Sequence, residues 1–316
     1  MRRALSLVRI DCLHLLLGLA LVGVVATWRI QRYHSPKTHR QMTRSALATD
    51  MQVSYALVEN MEPLRAINSR IKKEASKRQK PVTGQLLRMP ERAFEKNIGK
   101  VWAALGPNLN CPTMQRVGDP GGGGKMACGV MTFLRHLHCV VYIFGVGDMS
   151  LPSDFIQFTP CEIHVFDPHP MNEDRQELLT MHERVVFHEV GLASKENKPG
   201  GHPPYRNVRA IMRDLKHQWV DVMIFNVDGA EVTQLEMLLH ERKKEKSDVK
   251  VPSSQVLARV HTDSGGGPKQ GLQLVESMKD DGFAVFHTEP VWVAEDPLSV
   301  VDISFIRAMP DGAIAP

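Results

Sequence analysis

The sequence predicts an α/β domain built on an open, mostly parallel sheet of seven strands that closes with an antiparallel hairpin. Three observations carry this. From residue 140 onward, short apolar runs alternate with stretches of helical periodicity. The first run, Val140–Phe144, passes at once into Gly145-Val146-Gly147-Asp148, and the second, Glu162–Phe166, ends in Asp167. The last two runs, Ala284–His287 and Val301–Ile306, have no helical stretch between them and should pair antiparallel.

Composition sets the class. The chain is 43% hydrophobic and 23% charged, as ordinary globular proteins are. Its net charge of +4 gathers on no basic face and its aromatics are 6%, so no nucleic-acid partner is expected from charge or from base stacking. Residues 1–28 read as a targeting segment: Arg2, Arg3 and Arg9 precede the apolar stretch Leu13–Ala26. Cleavage after Val24-Val25-Ala26 and retention as a membrane anchor are both open, and both place the chain in the secretory pathway, secreted or as a single-pass membrane protein of the ER or Golgi. Cys12 lies in that segment. The other four cysteines allow three pairings; Cys139–Cys161 with Cys111–Cys128 is preferred because Cys139 and Cys161 each precede a strand, with four reduced cysteines as the alternative.

The elements follow in order. Residues 29–85 are rich in Lys, Arg, Gln and Ser with apolar residues at roughly helical spacing, and read as a helical or disordered stem interrupted at Pro63. The globular domain spans 86–316. A helix over Glu91–Leu105 stops at Gly106-Pro107, and Cys111–Cys128 reads as a glycine-rich loop. Its Gly121-Gly-Gly-Gly-Lys125 is not a phosphate loop, because no strand is expected before it and Met126 follows the lysine. Strands are expected at Val140–Phe144, Glu162–Phe166, Val185–His188, Val220–Val227, Val256–His261, Ala284–His287 and Val301–Ile306. Helices are expected at Asn172–His182, Val208–His217, Val232–Leu239 and Leu272–Asp280. The charge run Glu241–Lys246 reads as a solvated face, and Thr262–Gln270 as a loop.

In parallel sheets ligands bind beyond the carboxyl ends of the strands. That rule selects Gly145, Val146, Gly147, Asp148, Asp167, Glu189, Asn226 and Asp228. An acid after the second strand suits the two hydroxyls of a ribose, as at Asp167. His136, His138 and Cys139 lie too close in sequence, with no second half, to predict a metal site, and no metal is expected.

Four stretches taken in order, Cys139–Gly145, Cys161–Pro168, Asn226–Glu231 and Ser304–Arg307, resemble the FkbM-type class I S-adenosylmethionine-dependent methyltransferases. Within them the chain is similar to the methyltransferase-like protein 24 group. The resemblance covers about residues 110–308. It implies a Rossmann-like sheet and S-adenosylmethionine as cofactor. Gly145, Val146, Gly147 and Asp148 would cradle the methionine part, Asp167 would take the ribose, and Glu189 would lie by the adenine. Asn226 and Asp228 would be catalytic, with Asp228 as the base, and Arg116 and Lys125 would contact substrate. The methyl acceptor, an oxygen or a nitrogen, is unidentified.

The chain also departs from the family. Its strand-4 pattern is Lys-x-Asp-x-Glu-Gly-x-Glu, and here Ile224, Asn226 and Asp228 stand at the first three of its special positions, with Glu231 retained. A catalytically inactive binding protein is therefore the alternative. A nicotinamide-dependent oxidoreductase is a third reading, weakened by Ser150 at the place of a third glycine and by the terminal hairpin.

Overall fold

The computed structural model describes residues 61–90, 93–130, 139–145, 147, 149–169, 180, 182–194, 204–227, 229–240, 249–261, 267–291 and 300–308. The chain divides into two units, Met1–Val53 and Ser54–Pro316, and every described residue belongs to the second. The apolar segment Leu13–Ala26, the predicted helix Asn172–His182 apart from its last residue and Thr180, and the charge run Glu241–Lys246 lie outside the described residues. Among those described, no helix is long and apolar enough to cross a membrane.

Seven strands form the main sheet: β3 (Val140–Phe144), β4 (Glu162–Phe166), β5 (Val185–His188), β8 (Val220–Phe225), β9 (Ser253–His261), β10 (Phe283–Pro290) and β11 (Val300–Arg307). Their order is β10-β11-β9-β8-β3-β4-β5. Only β11 runs against its neighbours, paired antiparallel with both β10 and β9. The terminal hairpin is thus present, with its second strand inserted inside its first. Among the described residues two further short pairs occur, β1 (Met114–Val117) with β2 (Lys125–Cys128), and β6 (Gly191–Leu192) with β7 (Tyr205–Arg206).

The apolar runs are continuous because both faces of the sheet are covered. Tyr142, Phe144, Phe166 and Phe225 point into one core, and Val141, Ile143, Ile163 and Val165 into the other. The first core is closed by α2 (Ile98–Leu105), α4 (Val208–Asp214), α5 (Ala230–His240) and α6 (Gly267–Asp280). The second is closed by α3 (Ser150–Phe158) and by the β1–β2 hairpin.

Several elements differ from expectation. The stem contributes a continuous helix, α1 (Met61–Leu86), that packs on α2. Pro63 does not interrupt it, since a first-turn proline breaks no helical bond. Buried Asn68 accepts from the Asn110 amide at 3.1 Å, and Gln79 donates to Gly106 O at 2.9 Å, so this part of 29–85 is built into the body. The glycine-rich stretch Cys111–Cys128 is not a loop but the β1–β2 hairpin, with the glycines at its turn. Each of its strands is four residues long, too short for a readable alternation. Helix α6 starts earlier than expected, at Gly267, because Pro268 is suited to a first helical position. Strand β8 ends at Phe225, two residues earlier than expected, and Asn226 stands just past its end. Disulfides join Cys111 to Cys128 and Cys139 to Cys161, the preferred pairing.

Candidate active site

The carboxyl ends of β3, β4 and β8 form one rim. Phe144 is level with Phe166 on one side and Phe225 on the other, so Gly145, Asp167 and Asn226 leave the sheet together. Gly145 has a φ of 75°, and a Cβ there would lie 2.2 Å from Asn226 O. Only glycine fits a left-handed residue pressed on a neighbouring backbone. Its amide donates to Phe166 O at 2.9 Å, and the Asn226 amide donates to Phe144 O at 2.8 Å, which locks three strand ends in register.

Asp167 is half-buried, and its Oδ1 accepts from the His169 amide at 2.9 Å. That contact fixes the turn after β4. Gly147 is exposed in the left-handed region, and Glu189 is exposed just past β5. Val146, Asp148 and Asp228 lie outside the described residues.

On the other side of Asn226 the sheet carries a charged row. Asp302 of β11 is directly opposite Arg259 of β9 and Glu289 of β10. Arg259 grips Asp302 with two bonds of 3.1 Å, from Nε and from Nη2. Lys125, at the start of β2, enters this row from above. Its side chain is wholly buried. Its Nζ donates to Gly123 O at 2.6 Å, lies 3.4 Å from Asn226 Oδ1 and pairs with Asp302 Oδ1 at 3.3 Å. Burial pulls the ammonium down to about 8, Asp302 raises it and Arg259 lowers it.

The hairpin is held in this place by polar contacts. Gln255 of β9 bonds both the amide and the carbonyl of Cys128, at 3.0 and 2.6 Å. Ser304 of β11 donates to Met126 O at 2.8 Å. Gly123, with φ 96°, lets the turn reach the site, since a Cβ there would lie 2.3 Å from Asn226 Nδ2. Arg116 of β1 bonds Gly124 O and Glu289, and is half-buried. Burial pushes the Glu289 carboxyl up, but Arg116 and His287 outweigh it and leave a net lowering.

Of the two residues expected at the substrate, Lys125 is turned inward. An ammonium has three donor positions and here three protein oxygens meet it, so it positions Asn226 rather than offering a free charge. Asp302, Arg259, Glu289 and His287 were not singled out by sequence reasoning. The only available signal was an acid near the start of the last strand, and its partners depend on hairpin register. Glu231 is wholly buried: Oε2 accepts from the Gly229 amide at 2.9 Å and Oε1 from the His261 amide at 2.8 Å. It therefore ties the start of α5 to the end of β9.

This arrangement pairs a turn-and-acid half, Gly145 to Asp167, with a polar half centred on Asn226. A family model, Methyltransf_22, described as a methyltransferase domain, matches residues 62–307. No curated protein matches the chain significantly. Among solved structures, a Clostridium thermocellum protein assigned as an rRNA-methylase is similar at 9% identity and a TM-score of 0.34, covering 54% of this chain and 86% of its own. A Burkholderia thailandensis 1,6-didemethyltoxoflavin-N1-methyltransferase, crystallised with 1,6-didemethyltoxoflavin and S-adenosylhomocysteine, is similar at 14% identity and a TM-score of 0.33, covering 56% of this chain and 76% of its own. The family match runs from α1 to the last residue of β11, well over half of the chain, and the chain belongs to this methyltransferase-domain family.

Proposed function

We propose that this methyltransferase domain, whose cofactor is S-adenosylmethionine, acts in the secretory pathway on an oxygen or nitrogen acceptor. We place it in the FkbM type, with the methyltransferase-like protein 24 group. The observation that carries the reading is the rim on which Asp167, Gly145 and Asn226 leave adjacent strands at one level. The residues suit the cofactor: a carboxylate at Asp167 can accept from a vicinal diol, and the Gly145 turn brings backbone to the mouth of the sheet. When bound, the cofactor supplies a sulfonium methyl group, electrophilic toward an acceptor lone pair. Asn226, held by Lys125, orients the acceptor side, and Asp228 is the proposed base. Arg116 and Glu289 border the same side.

The family's strand-4 lysine is replaced by Ile224, which is buried. A cation still reaches Asn226, delivered from β2 by Lys125. The charge lost from one strand is thus returned by another, which supports retained catalysis. The two disulfides, together with the apolar segment after the N-terminal arginines, support an oxidising compartment, with the N-terminus either cleaved or anchoring the chain in a membrane. A binding-only protein is the second reading, favoured by a neutral Asn226 where the family has an acid.

The test is methyl transfer from tritiated S-adenosylmethionine to fractions of secretory-pathway extract. Label that enters an acceptor, and that falls at least about tenfold with Asn226→Ala while donor binding is retained, is expected. Donor binding with no transfer to any fraction would leave the binding-only reading standing.

A further inference from the structure

We propose that Glu162, His164 and His217 form a binding site for a divalent transition-metal ion of the zinc class. The site lies at the amino end of the strands, away from the rim described above. Glu162 opens β4, and His164 follows it on the same face. His217 sits in the turn between α4 and β8. One ligand atom from each residue lies within 4.8 Å of the others.

The two imidazoles are each held through one nitrogen. His164 Nδ1 is 2.9 Å from His188 Nε2, and His217 Nδ1 is 2.6 Å from the Tyr142 hydroxyl. That leaves both Nε2 atoms as ligands. Metal-bound histidines are oriented in this way, with the second nitrogen bonded to a fixed partner. His164 is only 3% exposed, and its Nε2 is buried with no hydrogen-bond partner. Glu162 Oε1 nevertheless lies 3.1 Å from that nitrogen. With the His164 proton on Nδ1, donated to His188, a lone pair on Nε2 faces a carboxylate oxygen. Two acceptors that close repel unless a cation lies between them.

Two imidazoles and a carboxylate favour zinc over magnesium or calcium, which take oxygen ligands. A tetrahedral ion with bonds of about 2.0–2.1 Å sets its ligands about 3.4 Å apart, close to the 3.1 Å between Glu162 Oε1 and His164 Nε2, so a small movement of the carboxylate admits it. Glu162, half-exposed, is free to make that movement and leaves the fourth position open to water. The ion would join β4 to the entrance of β8 across β3, a structural clamp independent of the methyl-transfer site.

The experiment uses the full chain, stripped with a chelator and titrated with zinc and then with cobalt. One zinc ion per chain, a higher melting temperature on loading and the visible absorption bands of tetrahedral cobalt are expected. His217→Ala and Glu162→Gln, each checked by circular dichroism for folding, should each weaken zinc binding at least about tenfold. Failure of the folded wild-type chain to take up stoichiometric zinc, or unchanged affinity in both variants, would overturn the proposal.

Discussion

Lys125→Met tests the view that a buried ammonium was accepted in order to position Asn226. The side chain has no solvent contact, and its value falls from 10.5 to about 8, chiefly through burial. At about 1.4 kcal/mol per unit, the charged form is destabilised by about 3 kcal/mol in the folded chain. Methionine matches the length of the lysine stem and removes that cost. It also leaves Gly123 O and Asn226 Oδ1 without a donor, at about 1–3 kcal/mol each, while Asp302 keeps its two bonds to Arg259. The opposing effects nearly cancel, so the variant should unfold within about 2 kcal/mol of wild type at pH 7.

The pH dependence separates the two proteins. Between pH 8 and 10.5 the unfolded chain keeps the Lys125 proton and the folded chain has lost it, so stability from this group rises with pH. Across that window wild type should gain up to about 3 kcal/mol relative to Lys125→Met, and below pH 8 the difference should be flat. Urea unfolding of both proteins from pH 7 to 10.5 measures it. Parallel curves across the window would refute the reasoning, as would a loss well beyond about 4 kcal/mol at pH 7. On the role proposed for Asn226, methyl transfer by the variant should fall with donor affinity kept, because the lysine contacts Asn226 and neither Gly145 nor Asp167.

Three further outcomes follow from the geometry. Gly145→Ala must accommodate a Cβ at 2.2 Å from Asn226 O in a left-handed conformation, and should cost more than about 3 kcal/mol in urea unfolding; a loss under about 1 kcal/mol would contradict the close approach. Joint Cys139→Ser and Cys161→Ser should cost about 3 kcal/mol by opening a loop of sequence separation 22, seen as a lower melting temperature that added reductant does not lower further through this pair. Glu231→Gln turns one of two buried acceptors into a donor facing a backbone amide, and should cost about 2–3 kcal/mol; an unchanged denaturation midpoint would deny the tie between α5 and β9.

The sheet was legible because its central strands are buried on both faces and therefore read as unbroken apolar runs. Val140–Phe144 and Glu162–Phe166 have the expected bounds, as does the edge strand Val185–His188. The rim was legible too, since a positional rule picks out the strand ends, and Gly145, Asp167 and Asn226 do leave the sheet together. The polar half was only partly so. Asn226 stood at a strand end, but Lys125 gains its meaning only when the β1–β2 hairpin folds over β9 and β11. Asp302 gains its meaning only from the register that sets it against Arg259, a pairing across 43 residues of chain. The absorbed stem helix was hidden for a similar reason. Its polar composition resembles a spacer, and besides its packing on α2 the bonds that tie it down, at Asn68 and Gln79, reach a distant loop.

Isothermal calorimetry of the full chain with S-adenosylmethionine, S-adenosylhomocysteine and NAD tests the central claim most directly, in wild type and in Asp167→Ala. One-site binding of both adenosyl ligands is predicted, with no NAD binding, and with affinity at least about tenfold weaker once the Asp167 carboxylate is gone and the fold is intact. A folded wild-type chain that binds neither adenosyl ligand, or binding that survives Asp167→Ala unchanged, would contradict it.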